Sequence, residues 1–247
     1  MEYDFYVLLE KNRRKSNEEK IIIAVVVIVA LIIGVLGYMV ISDMGQEDKL
    51  KTELSEINDL ANAETIDMDE INKRLDRTVT TGDYAKVEEA FKSYLRDNFD
   101  NSIEIADLIN DERITTLLTA DNYKTDGKDF TESKNYISTT KQKLEECKEK
   151  YSEYMTKEKA MSYIEDKGLD SYYVDLYEQE YVGDMDSAKD TTVEDSIDEI
   201  ISLLDTSEKV LNLLSNNQDT WNVEGDNIVF SNDSIRNQYD ELINSIG

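Results

Sequence analysis

The sequence predicts a mostly α-helical protein with a single N-terminal transmembrane helix, an extracytoplasmic multi-helix bundle and a small C-terminal β-hairpin. Residues 21–41 form an unbroken apolar run without a charged side chain. Over most of the remaining chain, apolar residues recur every three or four positions, which is typical of helices that bury one face. Apolar and polar residues alternate at about 220–231, which is typical of paired strands.

The apolar run is long enough to cross a membrane. As an α-helix, its 21 residues would span roughly 31 Å, which is close to the thickness of the hydrocarbon core. No polar face interrupts the run, as one would in a soluble helix, and no small-residue cleavage site follows it, as one would after a signal peptide. We therefore expect an uncleaved transmembrane helix over residues 21–42, in contact with membrane lipid.

The charged residues around this run predict its orientation. Five basic residues precede it: Lys11, Arg13, Arg14, Lys15 and Lys20. Acidic residues follow it, beginning with Asp43. The positive-inside rule therefore places residues 1–20 in the cytoplasm as a tail and the C-terminal domain outside the cell. The tail has as many acids as bases, so the net charge of −28 belongs to residues 43–247.

The composition excludes several classes of function. The chain contains no histidine, so it lacks the imidazole of Ser-His and Cys-His pairs and of the usual zinc sites. Its one cysteine, Cys147, cannot form an internal disulfide. A strongly acidic outer domain repels nucleic acid and anionic lipid. No phosphate-binding loop or metal-ligand spacing is present, so we predict no catalytic, cofactor-binding or metal site.

Two helices are predicted directly after the membrane. The first is expected to form a helical stalk within residues 43–64. Its apolar stripe consists of Leu50, Leu54, Ile57 and Ala61. The second opens a first helical lobe, residues 65–120, and is expected to be capped by Thr65 or Asp67 and ended by Gly82. Its apolar face consists of Met68, Ile71, Leu75 and Val79.

The next segment resembles a known repeat family in one helix. Asp83 is predicted to cap this helix. Its buried face is expected to carry Val87, Phe91, Tyr94, Leu95 and Phe99. The run Gly82-Asp83-Tyr84, followed by Phe91 and Leu95, resembles the second helix of a tetratricopeptide repeat. That family has small residues where this chain has Val87 and Tyr94, and no second copy follows at the 34-residue period. We therefore interpret the segment as an ordinary helical hairpin.

A helix from Ile103 to Leu118 is predicted to complete the first lobe and to end at a loop over residues 121–130. Three aspartates in this loop invite comparison with a calcium-binding EF-hand. The comparison fails because Tyr123 occupies a ligand position and no glutamate stands at the twelfth position. A turn at Asp126-Gly127 accounts for the segment instead.

A second helical lobe is predicted over residues 131–247. It begins with a long helix from Thr131 to Tyr154, in which Cys147 is expected to be a buried, inert thiol. Another helix is predicted from Thr192 to Asn216, either continuous or broken near Thr206-Ser207.

The C-terminal hairpin, at about 220–231, closes this lobe. A two-stranded hairpin is weak alone, so Trp221 is expected to anchor it onto the helices. A last helix is predicted after it, capped by Asp233 or Ser234.

A tyrosine-rich segment, residues 162–185, contains a candidate interaction surface. The residues that could form this surface are Tyr172, Tyr173, Tyr177 and Tyr181. Tyrosine combines a large apolar ring with a polar tip, which suits binding surfaces. The alternative is that these rings belong to the core and keep their hydroxyl groups at its edge.

These features favour a non-catalytic, single-pass membrane protein whose acidic helical domain binds a protein or a cell-envelope component, as a scaffold or accessory subunit. A second hypothesis is an extracytoplasmic sensor that relays to a cytoplasmic partner through residues 1–20. A third is an envelope hydrolase with paired carboxylates, although no acid lies in a recognisable motif. Ala30 and Gly34 form a small-xxx-small pair that permits dimerisation, but the sequence does not specify an oligomeric state.

Overall fold

The computed structural model describes residues 45–61, 63, 66–183 and 191–246, without the side chains of residues 180 and 181. The predicted cytoplasmic tail and transmembrane helix, residues 1–20 and 21–42, lie outside the described residues. The five basic residues that flank the predicted span also lie outside: Lys11, Arg13, Arg14, Lys15 and Lys20. Among the helices that the structure describes, none combines the length and the apolar character needed to cross a membrane.

The described part of the chain is mostly helical and includes a two-stranded antiparallel sheet, which confirms this part of the predicted fold class. The helices are α1 Gln46–Ala61, α2 Met68–Asp76, α3 Asp83–Ile109, α4 Glu112–Thr116, α5 Ala120–Asp126, α6 Thr131–Tyr154, α7 Lys157–Glu165, α8 Ser171–Tyr177, α9 Thr192–Asn216 and α10 Asp233–Asn244. A π-helical turn, Glu178–Val182, follows α8. The strands are β1 Trp221–Glu224 and β2 Asn227–Phe230.

The chain divides into two compact units, each built from segments that are distant in sequence. The ionic unit comprises the described residues of 45–104 and 147–193, and the hairpin unit comprises residues 105–146 and 194–246. The two lobes predicted from the sequence were instead successive along the chain. Local periodicity identifies helices but does not reveal which distant helices share a core.

Helix α1 belongs to the core of the ionic unit. The whole predicted stripe of Leu50, Leu54, Ile57 and Ala61 is buried. These side chains form one apolar cluster with residues of α2 and α3, including Ile71 and Phe91. The stripe was therefore predicted correctly, but the helical stalk predicted over 43–64 is instead a packed helix of the domain. A helix that buries a complete face in a core does not act as a free spacer.

Helix α2 ends earlier than predicted. Asp67 caps it, as expected, by accepting a hydrogen bond from the backbone N–H of Glu70. The helix ends at Asp76, and the predicted continuation to Val79 and Gly82 is wrong, because Arg77 is already extended, with ψ 155°. The backbone N–H of Val79 donates to the carboxylate of Glu88 on α3 instead of to a carbonyl of α2.

Helix α3 is longer than predicted. It runs from Asp83 to Ile109 without a break, so the predicted hairpin and the separate helix over 103–118 are both wrong. Its predicted buried face is correct: Val87, Phe91, Tyr94, Leu95 and Phe99 are all buried. Asn101 stabilises the C-terminal part of this long helix, since its side-chain amide donates to the backbone carbonyl of Cys147 at 3.1 Å.

The predicted loop over 121–130 begins with a helix. Thr119 caps α5 by accepting a hydrogen bond from the N–H of Asn122. The predicted turn at Asp126-Gly127 is confirmed, with a positive φ of 75° at Gly127. The Asp126 carboxylate accepts hydrogen bonds from the backbone N–H groups of Glu132 and Ser133 at the start of α6.

The long helices and the hairpin match the sequence prediction closely. Helix α6 covers Thr131–Tyr154, and α9 covers Thr192–Asn216 without a break at Thr206. Cys147 is buried, with 1% of its surface exposed, as expected. In the last helix the predicted cap is wrong by one residue, because Asn232 accepts the capping hydrogen bonds from Ser234 and Ile235.

The hairpin is anchored by its tryptophan, as predicted. Strands β1 and β2 pair from Trp221 opposite Phe230 to Glu224 opposite Asn227. The indole N–H of Trp221 donates to the backbone carbonyl of Leu214 in α9 at 2.8 Å. The Trp221 ring also stacks on Phe130 at a centroid distance of 5.8 Å. Gly225 begins the two-residue turn with a φ of 62°, a conformation that costs a side-chain-bearing residue free energy.

Candidate functional site

The most unusual electrostatic feature of the ionic unit is a buried ammonium group. Lys92 lies on α3 and exposes 4% of its surface. Its Nζ lies 3.1 Å from Glu53 Oε1 on α1 and 2.8 Å from Glu88 Oε1 on α3. It also donates to the backbone carbonyl oxygens of Arg74 and Arg77, at 2.7 Å and 2.8 Å. One cation therefore connects three helices through four oxygen atoms.

Glu88 holds the extended segment that follows α2. One carboxylate oxygen accepts from the backbone N–H of Thr80 at 2.9 Å and from its hydroxyl at 2.6 Å. The backbone N–H of Val79 donates to the other oxygen at 3.0 Å. Burial acts to raise the pKa of Glu88, but the hydrogen bonds from Lys92 and Thr80 outweigh it and lower the pKa. Glu88 is therefore ionised at neutral pH.

Glu53 completes the network from α1. Arg77 donates from Nε to Glu53 Oε1 at 2.7 Å, and Arg74 donates to Oε2 at 3.2 Å. Burial acts to raise the pKa of Glu53, but the hydrogen bonds from Arg77 and Lys92 overcome that effect and hold the pKa below its usual range. The same hydrogen bond raises the pKa of Arg77. Glu56, at the rim, forms a further ion pair with Arg74.

The chemistry of this network is structural. A catalytic base or nucleophile needs a lone pair or a proton that a substrate can reach. The Lys92 ammonium is buried and surrounded by oxygen acceptors, and the Glu53 and Glu88 carboxylates accept several hydrogen bonds each. Removing one member of such a set leaves a buried charge without compensation, so the network strongly disfavours other arrangements of α1, α2 and α3.

A second group of polar and aromatic side chains lies at the start of α1. We call Glu47, Tyr84, Tyr172 and Tyr173 the tyrosine cluster. Glu47 Oε1 accepts hydrogen bonds from the hydroxyl groups of Tyr84 and Tyr172, both at 2.9 Å. The Tyr173 ring packs edge-on against Tyr84, at a centroid distance of 5.1 Å, and against Tyr172, at 5.2 Å. The cluster therefore joins α1, α3 and α8.

The cluster has a buried acidic centre and an exposed aromatic rim. Glu47 exposes 5% of its surface, whereas Tyr172 exposes 50%. Burial is the main cause that raises the pKa of Tyr84, and the neighbouring Tyr172 hydroxyl and Glu47 carboxylate add to the effect. Tyr84 therefore stays protonated and donates to the carboxylate. This arrangement gives one Glu47 oxygen two donors from inside the unit and leaves the half-exposed Tyr172 ring at the surface.

The four tyrosines of the predicted interaction surface do not all lie together. Tyr172 and Tyr173 lie together in the tyrosine cluster. Tyr177 is 0% exposed, its hydroxyl donates to the backbone carbonyl of Ala160 at 3.0 Å, and its ring packs against Phe91. Tyr177 therefore belongs to the core, which corrects its assignment to a surface. The Tyr181 side chain lies outside the described part of the chain.

Glu47 and Tyr84 were not predicted from the sequence as members of this site. They lie 125 and 88 positions before Tyr172. Helical spacing predicts neighbours within one element, and no pattern in a single sequence links residues so far apart. An acid in the first turn of α1 was the available signal, but helix N-termini favour acids for purely local reasons.

The described residues contain no group of three or more Cys, Asp or Glu side chains arranged to hold a metal ion. Two aspartates of the segment that invited the calcium comparison have protein partners instead. Asp121 pairs with Lys124 one turn along α5, and Asp129 accepts a hydrogen bond from the distant Gln218.

Comparison with protein-family models, with curated proteins and with solved structures gives no match. A functional argument for this chain therefore depends on its own residues.

Replacing Lys92 with Met tests the ionic network. At neutral pH we expect Lys92→Met to lower the free energy of unfolding by about 3–5 kcal/mol, because two buried carboxylates lose their shared cation. The folded-state pKa values of Glu53 and Glu88 lie below the ordinary value of 4.5, so their stabilisation is present above pH 4.5 and is lost as pH falls through the folded-state values. The difference between the two chains should therefore shrink in acid.

The measurement is urea unfolding of the purified full chain, followed by circular dichroism over a series of pH values. Lys86→Met is the matched control on the same helix, because Lys86 forms an exposed pair with Asp83 at 2.8 Å. Exposed pairs of this kind contribute about 1 kcal/mol or less. Equal losses in the two variants, or a Lys92→Met loss that is independent of pH, would contradict the role given to the network.

Proposed function

We propose that this protein is a non-catalytic, single-pass membrane protein, a scaffold or accessory subunit, whose acidic helical domain binds a protein or another cell-envelope component. Residues 21–42 form the anchor, residues 1–20 lie in the cytoplasm and the domain lies outside. The observation that carries the proposal is the 21-residue uncharged run, which lies between a basic flank and a strongly acidic domain.

The lowered pKa values and the hydrogen bonds of three carboxylates support binding rather than catalysis. Strongly perturbed carboxylates often mark catalytic sites, but ion-pair networks that hold a fold together perturb them as well. Glu53, Glu88 and Asp126 have lowered pKa values, and each accepts hydrogen bonds that fix a helix or a helix start. Perturbed acids that hold helices in place in this way suit a binding module.

Cysteine labelling tests the topology. We expect a membrane-impermeant maleimide to label Ser231→Cys on intact protoplasts, since Ser231 is exposed, and to label Ser16→Cys only after permeabilisation. The wild-type chain is the control, because its buried Cys147 should not react under native conditions. Labelling of Ser16→Cys on intact protoplasts, or release of the chain by alkaline carbonate, would contradict the proposed anchor and orientation.

Crosslinking in the native membrane, followed by copurification, tests the binding role. We expect the chain, crosslinked in its native membrane and then purified, to carry one partner in a fixed stoichiometry, because a folded acidic domain without a reactive site acts through contacts. High salt before crosslinking should reduce recovery if the partner is basic. Recovery of the chain alone, at the mass of a monomer under every crosslinking condition, would contradict a binding function.

A further inference from the structure

We infer that the tyrosine cluster lies against the lipid headgroup layer of the membrane that holds the anchor, with Tyr172 in contact with the interface. This inference rests on the proposed anchor and adds to it, because it assigns a lipid partner to one end of the domain.

The chain between the proposed anchor and α1 is short. Ile41 ends the apolar run, and Glu47 follows six positions later. Even a fully extended chain spans at most about 3.6 Å per residue, so Glu47 lies within roughly 22 Å of the end of the run. Helix α1 is packed into the core from Leu50 onward, so the folded unit begins within this short distance.

The hydrogen bonds of Glu47 hold the tyrosine cluster at the start of α1. The start of α1 brings Tyr84 and Tyr172 with it, because both hydroxyl groups donate to the Glu47 carboxylate at 2.9 Å. Tyr173 packs against both rings. The end of the ionic unit that is tethered closest to the membrane is therefore the end that carries three tyrosines.

The chemistry of the cluster fits a lipid interface. Tyrosine favours the headgroup level of a bilayer because its ring is apolar and its hydroxyl is polar. Among the large hydrophobic side chains of the described residues, Tyr172 is one of three that are exposed, and its 50% exposure is the highest of the three. The buried Glu47 carboxylate accepts two hydrogen bonds from tyrosines of its own unit. These features favour neutral headgroups, whereas the acidity of the domain opposes anionic ones.

Because the domain is tethered to the membrane, even a weak contact is enough to keep the tyrosine cluster at the lipid interface. A free domain with a few exposed rings would not stay on a membrane, but a short tether raises the effective concentration of the contact to the order of millimolar. The tyrosine cluster would then set the tilt of the ionic unit on the bilayer.

Quenching by spin-labelled lipid tests this inference. The full chain carries Ser171→Cys, labelled with a small environment-sensitive fluorophore, in phosphatidylcholine vesicles with a nitroxide on the headgroup. Ser171 is exposed and precedes Tyr172, so the cluster itself stays intact. The matched control is Asp59→Cys, an exposed position on α1 and twelve residues beyond Glu47, which is about 18 Å along the helix axis. We expect roughly two-fold or greater quenching at position 171 relative to position 59.

Further variants and a flotation step separate the possible failures. Replacing Tyr172 and Tyr173 with Ser, in a chain that keeps its helical circular dichroism, should reduce quenching at position 171. Failure of the labelled chain to float with vesicles would overturn the anchor itself. A chain that floats but shows equal quenching at positions 171 and 59 would overturn the placement of the cluster and leave the anchor intact. Quenching that is unchanged by the Ser replacements would overturn the role of the tyrosines.

Discussion

The arrangement of the ionic unit depends on the buried ammonium of Lys92. This group lies within hydrogen-bonding distance of carboxylates from α1 and α3 and of the backbone carbonyl oxygens of Arg74, in the last turn of α2, and Arg77, directly after it. Transferring charges from water to a protein interior costs several kcal/mol per ion, so such a set is tolerated only when all members find partners. A shift of one helix would separate a buried charge of this network from its partners, so the network restricts which face of α1 meets α2 and α3.

This constraint has a consequence for the proposed membrane protein. Because Glu53 and the apolar stripe hold α1 inside the ionic unit, α1 is not a spacer, and the folded unit begins within a few residues of the proposed anchor. A domain tethered this closely has one end near the bilayer. The proposed roles then divide along the chain: the apolar run anchors, the tyrosine cluster meets the interface, and the rest of the acidic surface is available to a partner.

Local signals in the sequence predicted much of the fold. The bounds of α6 and α9, the hairpin with its tryptophan anchor and the buried stripe of α1 follow from the spacing of apolar residues and from turn chemistry. Several errors arise where contacts between different elements, rather than spacing within one element, decide the structure. Helix α2 ends early because Glu88 takes the backbone N–H groups of Val79 and Thr80. The tyrosine cluster depends on pairs that lie 37 and 125 positions apart. The burial of Tyr177 likewise follows from packing against α3 rather than from its own helical spacing.

The central claim is that α1 is part of the core of the ionic unit and not a stalk in front of it. Hydrogen exchange of the full chain in phospholipid nanodiscs, read by mass spectrometry, tests it most directly. The backbone amides of α1 from Leu50 to Ala61 should exchange as slowly as those of α3 from Val87 to Phe99, because both open only when the ionic unit unfolds. Rapid exchange throughout α1, while α3 stays protected, would show that α1 is a free stalk and would contradict the account.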